Sequence, residues 1–161
     1  HREGKLHRAF SIFIFNPKGE WLLQKRAKAK YHSGGLWTNT CCSHPRVGEE
    51  VLQAGHRRLT EEMGFDTDLR EAFSFIYKVP LDHGLFEHEY NHVLFGSSDA
   101  TPVPNPQEVE DWRYVEFSAL FKEVKETPER YAAWFRICFE RVARVCPGRE
   151  SPRHSTWRPI A

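Results

Sequence analysis

Apolar residues first alternate with polar ones and then crowd together over residues 6–15, a strand pattern closed by the turn residues Asn16-Pro17-Lys18-Gly19. Residues 20–26 carry a second bulky run that pairs with the first as a hairpin. A basic, glycine-bearing loop fills 27–36, and residues 37–44 form a short extended piece. Over residues 49–63 the period changes. Leu52, Gly55, Leu59 and Met63 fall at helical spacing, and Gly64 stands where a C-terminal cap belongs. Residues 69–79 and 87–95 read as two more strands, joined by a loop that holds Pro80, Asp82 and Gly84. A proline-bearing loop over 100–110 precedes a last short strand at 112–117. Pro128 suits the first turn of a helix. Beyond it Tyr131, Trp134, Phe135, Cys138, Val142 and Val145 recur as an apolar stripe at three–four spacing. Residues 147–161, with three prolines and a glycine, read as a C-terminal tail. Mixed strands with one early and one late helix predict a single α/β (α+β) layered domain over residues 1–146.

The chain has 161 residues, enough for one domain with a real core. Its 23 Lys+Arg nearly cancel 22 Asp+Glu, for a net charge of +1. That balance argues against a protein that coats nucleic acid or a polybasic membrane binder. The longest apolar run, from Ala9 to Phe15, falls far below the roughly 20 residues of a membrane span. The opening His-Arg-Glu-Gly-Lys is not a signal peptide. Four cysteines, two of them the neighbours Cys41 and Cys42, make a poor disulfide scaffold. The expectation is a cytoplasmic protein, a monomer or weak homodimer, with no nucleic acid and no membrane. Nine histidines and 14% aromatics turn attention to chemistry.

The most informative segment runs from Ser43 to Phe65. Glu49, Arg57, Leu59, Glu61, Glu62 and Gly64 fall on the grid of the Nudix box, a loop–helix–loop whose carboxylates at i, i+3 and i+4 hold a hard cation against a diphosphate. The alternative is an ordinary amphipathic helix with solvated charges, and six matches at fixed gaps count against it. Two positions depart from the box. Ser43 stands for its opening glycine and Arg58 for its catalytic glutamate. An arginine there removes part of a metal cradle and suits phosphate oxygens instead.

Those departures fit one branch of the fold. Leu6-His7-Arg8-Ala9-Phe10-Ser11, the run Trp37-Thr38-Asn39-Thr40-Cys41-Cys42-Ser43-His44-Pro45, and Glu87-His88-Glu89 together resemble the type I isopentenyl-diphosphate isomerases. The resemblance covers about residues 1–134. It implies a Nudix-type mixed β-sheet sandwiched between helices, and an enzyme of isoprenoid biosynthesis that interconverts isopentenyl and dimethylallyl diphosphate. A Nudix hydrolase of nucleoside or other diphosphates is the alternative activity, and a degenerate Nudix domain used as a binding module is a third.

The residues themselves allow a mixed nitrogen–oxygen metal site. Glu87 and Glu89, two apart on a strand, leave the same face, and so do Cys42 and His44 if their segment is extended. Imidazoles and carboxylates from separate segments suit zinc, manganese or a similar divalent ion. By resemblance the ligands are His1, His7, His44, Glu87 and Glu89, with Zn²⁺, Mn²⁺ or Mg²⁺ in that site. By resemblance too, Cys42 and Glu89 are the acid–base pair, Tyr77 assists, and Trp134 offers its aromatic face to a cationic intermediate. Arg26, Lys30 and Arg58 would hold the diphosphate, and Glu62 with the Cys42 main-chain carbonyl would hold its Mg²⁺. The remaining histidines, His32 among them, read as surface or structural, and Lys25 and Lys28 as solvated charges.

Overall fold

Strand β1 (His7–Phe15) runs through the middle of the sheet, with β6 (Phe86–Ser97) parallel to it along its whole length on one side. The computed structural model describes residues 4–146; His1 and the tail expected at 147–161 lie outside them. On the other side of β1 lie β2 (Trp21–Arg26) and the short β4 (Cys41–Ser43), both antiparallel to it. β3 (Trp37–Thr38) and β7 (Val109–Val115) pair with β2, and β5 (Leu69–Pro80) flanks β6. The seven strands make one mixed sheet.

From Ala9 onward β1 is buried on both faces, which is why its pattern drifts from alternating to continuously apolar. The strand's period of two still sorts the side chains. Phe10, Ile12 and Ile14 pack with Leu22, Leu94, Leu59 and Met63 under α1 (Val51–Met63). Phe13 and Phe15 pack with Trp21, Phe95, Phe135 and Phe139 under α3 (Ala133–Val145), together with Leu120 of α2 (Phe117–Glu126). The sheet is therefore sandwiched between helices. α1 lies so close to it that a Cβ on Gly55 would stand 2.9 Å from Leu94 Cδ1. Gly64 ends α1 in the left-handed region at φ 73°, its N–H bonded to Thr60 O.

Several expected elements differ. The helix begins at Val51, and Leu52, placed on its apolar stripe by spacing, is exposed. The extended piece at 37–44 is two strands, because β3 follows β2 while β4 follows β1. The last strand runs from Val109 to Val115, and Phe117 opens a helix instead of closing that strand. The Glu116 carboxylate caps that helix, accepting from the Ser118 and Ala119 amides. Pro128 opens only a single 3₁₀ turn. Tyr131 is extended and bridges Trp37, so the apolar helix starts after it.

β1 meets β2 only at Ile14 and Phe15, and meets β4 at Phe10 to Ile12. Its edge is thus forked. The side chains of Asn39 and Thr40 fill the fork with the hydrogen bonds that a continuous ladder would have made. Thr40 Oγ1 accepts from Ile14 N at 3.0 Å and donates to Leu22 O at 2.6 Å. Asn39 Nδ2 donates to Ile12 O at 2.9 Å and to Cys41 O at 3.0 Å.

Candidate active site

Beside the fork lies a cavity of about 150 Å³. Every sequence-identified candidate among the described residues lines it, except His7. The sheet's period explains the convergence. Ser11, Tyr77, Glu87 and Glu89 occupy the same odd-numbered face as the residues under α3, and Cys42 is the register partner of Ser11.

His7 stands at the mouth. Its Nδ1 bonds the Lys5 carbonyl at 2.9 Å, which makes Nδ1 a protonated nitrogen and leaves Nε2 facing inward. His7 Nε2 lies 3.2 Å from His44 Nε2 and 3.7 Å from Glu89 Oε1, and His44 Nε2 lies 3.0 Å from the same oxygen. One ligand atom from each of the three residues lies within 4.8 Å of the others. Two imidazole nitrogens turned toward one carboxylate oxygen form a donor set that fits a divalent cation of borderline softness. Glu87 is outside that group of three. It reaches the group through Tyr77, whose hydroxyl donates to Glu89 Oε2 at 2.7 Å and to Glu87 Oε2 at 3.2 Å.

The electrostatics separate the two carboxyls. Burial, and then the charge of Glu89, push Glu87 up. Burial would raise Glu89 as well, but hydrogen bonds from His44, His7 and Tyr77 hold it below the ordinary carboxylate range. Tyr77 is pushed up by burial and by both acids, so it is a protonated donor. Burial lifts the Cys42 thiol to about 12, against the lowering effect of Ser11 and Asn39. At neutral pH the cavity therefore presents a protonated sulfur and an ionised carboxylate.

Trp134 closes the cavity from α3. Its ring takes the Arg26 guanidinium at 5.1 Å from the centroid and the edge of His32 at 5.6 Å. His32 is buried and lines the cavity, so of the surface and structural readings given to it the surface one is corrected. Lys25 and Lys28 lie beside Glu110 on the outside. Arg58 stands among acids, 2.6 Å from Glu61, 2.5 Å from Glu62 and 3.3 Å from Glu108. Glu108 also pairs with Lys30, and Gln24 donates to Glu62 at 2.9 Å. Arg26 and Arg58 each retain a buried Nε–H without a hydrogen-bond partner among the described residues. Glu49 is off the helix, held by Arg57 through two 2.8 Å contacts. Ser11, Thr38, Asn39 and Glu108 escaped the sequence reading. The signal for Ser11 was a polar residue at a buried-strand position, and Thr38 and Asn39 sit inside the informative run itself.

The NUDIX domain model matches residues 5–135. The chain is 52% identical over 142 residues to Isopentenyl-diphosphate Delta-isomerase 2 of Aromatoleum aromaticum, covering 88% of this chain and 75% of the relative. It is 51% identical to Isopentenyl-diphosphate Delta-isomerase of Pectobacterium atrosepticum, over 88% of this chain and 79% of that one. The crystal structure of the MutT protein from Methanosarcina mazei superposes with a TM-score of 0.72 at 21% identity, over 88% and 96% of the two chains, and shares the fold. The chain belongs to the Nudix family and, within it, to the isopentenyl-diphosphate isomerases.

Proposed function

We propose that the chain interconverts isopentenyl and dimethylallyl diphosphate with Cys42 and Glu89 acting from opposite sides of the double bond. The observation that carries this division of labour is that the Cys42 thiol and the Glu89 carboxylate line one small cavity that Trp134 also lines. One group adds a proton to a terminal carbon of the alkene, leaving positive charge on the carbon next to it. The other removes a proton from the far side of that charge, so the double bond moves and the proton count is unchanged. Tyr77 holds Glu89 in place, and the Trp134 ring, which already carries a guanidinium, faces the charge.

Arg26, Lys30 and Arg58 bind the diphosphate, and the spare buried Nε–H groups of Arg26 and Arg58 suit phosphate oxygens. Glu62 and the Cys42 main-chain carbonyl would hold a Mg²⁺ that neutralises the diphosphate charge. His1, His7, His44, Glu87 and Glu89 would hold the second divalent ion, Zn²⁺, Mn²⁺ or Mg²⁺. A metal there supplies fixed positive charge that orders the carboxylate end of the site. A cavity of about 150 Å³ suits a five-carbon chain. It is small beside the roughly 300–1,000 Å³ of pockets that enclose drug-sized ligands. We take the chain to be a cytoplasmic monomer or weak homodimer whose partner is this small molecule alone. No helix among the described residues is long and apolar enough to cross a membrane.

The test is incubation with isopentenyl diphosphate and Mg²⁺ in heavy water. Deuterated dimethylallyl diphosphate is the expected product. Release of phosphate from nucleoside diphosphate derivatives at enzymatic rates, without isomer exchange, would overturn the assignment.

A further inference from the structure

We propose that Thr38 and Asn39 are positioning residues that set the Trp134 ring and the Cys42 thiol through one continuous hydrogen-bond chain. Trp134 Nε1 donates to Thr38 Oγ1 at 2.9 Å, and Thr38 Oγ1 donates to Asn39 Oδ1 at 2.8 Å. Cys42 Sγ donates to the same Asn39 oxygen at 3.0 Å. The chain thus joins two groups from different layers of the fold, one on α3 and one on β4.

Its direction is fixed at both ends. An indole nitrogen only donates. Asn39 spends both amide hydrogens on the carbonyls of Ile12 and Cys41, so its oxygen, rather than its nitrogen, must face Thr38 and Cys42. That oxygen can only accept. Thr38 has one hydroxyl hydrogen, and it is committed to Asn39. The Cys42 hydrogen has two acceptors in reach, Asn39 Oδ1 at 3.0 Å and Ser11 Oγ at 3.5 Å, and Asn39 is the nearer. Thr38, Asn39 and Trp134 are each at most 3% exposed, so water cannot stand in for a lost partner. The backbone reinforces the tie, because Ala132 N, just before α3, donates to Trp37 O at 2.9 Å.

Neither Thr38 nor Asn39 lines the cavity. Their loss should therefore act on kcat, through the groups that they aim, and leave KM for the diphosphate nearly unchanged. A merely structural role would lower the melting temperature and leave both constants alone in the folded protein. Thr38→Val removes the hydroxyl and keeps the shape, and should lower kcat about 10²-fold, the scale of a misplaced reacting group. Thr38→Ser, which keeps the hydroxyl, should restore most of that loss. In ¹⁵N-tryptophan-labelled protein the indole N–H resonance of Trp134, assigned by its disappearance in Trp134→Phe, should move in Thr38→Val and stay in place in Thr38→Ser.

The inference rests on Cys42 and Trp134 acting on the substrate, so Cys42→Ala and Trp134→Phe are assayed alongside. Normal turnover in those two would remove that reading. Loss of turnover in them with unchanged kcat in Thr38→Val would overturn the positioning role alone, as would an equal loss in Thr38→Ser. Thr38→Ala, which adds no methyl group in place of the hydroxyl, decides the same question if valine is not accommodated.

Discussion

His7 and Glu89 are register partners across the parallel seam of β1 and β6, and Tyr77 is the partner of Glu89 on its other side. One rung of the sheet therefore carries an imidazole, a carboxylate and a phenol in line. Tyr77 is the outer support of that rung, donating to both Glu89 and Glu87. Tyr77→Phe keeps the ring and removes the donor. Outer partners of metal-binding groups are typically worth about 10–100-fold in metal affinity or activity, and a loss of that size in either is expected. Metal titration and the isomer-exchange assay measure the two separately.

The same geometry ranks the proposed metal ligands. His44 belongs to the three-residue group within 4.8 Å, whereas Glu87 joins it through Tyr77. His44→Gln should therefore empty the site, because it takes one nitrogen donor out of the compact group and leaves the others poorly oriented. Glu87→Gln should weaken metal binding less, because it removes a ligand but leaves the compact group of three intact. Elemental analysis of the purified variants checks this. Equal loss in both would show that Glu87 weighs as much as His44 in the site, against this ranking.

Arg58 is the point at which the box departs from a hydrolase, and it lies against Glu61, Glu62 and Glu108. Arg58→Glu would gather four carboxylates there and strip nearly buried Glu62 of its cation. Hydrogen bonds to charged groups contribute about 1.5–3 kcal/mol each, and a destabilisation of at least that size is expected. Inorganic pyrophosphate should also bind more weakly in the presence of Mg²⁺. Urea denaturation and calorimetric titration read the two effects, and hydrolase activity should not appear, since one substitution positions no attacking water.

Much of this was legible in the order of residues, and the failures have identifiable causes. The strand runs and the helix from Val51 to Met63 carry strong periods, so they stood out, and Gly64 marked the helix end. α2 was missed because its cap is Glu116, outside the usual Ser, Thr, Asp and Asn set. Residues 37–44 looked like one strand because nothing local shows that Asn39 and Thr40 will replace ladder bonds and let it divide. His32 lies in a loop with no period to orient it, and only the arrival of Trp134 from α3 gives it a place. The proposed ligand positions came from a motif. That His7 would face Glu89 is a matter of register between strands about 80 residues apart, which local pattern does not encode.

Glu49 supplies a pH prediction away from the metal site. Hydrogen bonds from Arg57, and then from the Arg46 amide, lower its carboxyl from the ordinary 4.5 to about 2. A depressed folded value stabilises the protein above the unfolded value and loses that contribution as the pH falls through the folded one. The contribution of the pair should be intact above about pH 5 and fade between about 4.5 and 2. Glu49→Gln should therefore melt below the parent protein near neutrality, with the gap closing toward pH 2. Thermal melts of both proteins across that range test it, and a gap independent of pH would show that the charge of Glu49 is not what holds Arg57.

Cys41 and Cys42 are chain neighbours on opposite faces of β4, which makes them an internal control for the acid–base assignment. Cys41 is buried with Ile12, Leu59 and Met63 under α1. Cys42 lines the cavity beside Ser11 and Asn39. Cys41→Ala deletes a small buried group, so it should cost some stability and leave turnover nearly normal. Cys42→Ala should reduce turnover by about 10²–10⁴-fold, the usual worth of a positioned acid or base. Glu89→Gln, which keeps the size and removes the charge, should do the same. The double variant should be little worse than either single one, because two groups that complete one proton exchange act as a unit. Isomer exchange in heavy water, with circular dichroism to confirm folding, measures all four proteins. A folded Cys42→Ala protein with near-normal turnover would remove the thiol from the mechanism and leave Glu89 and Tyr77 to supply both proton transfers.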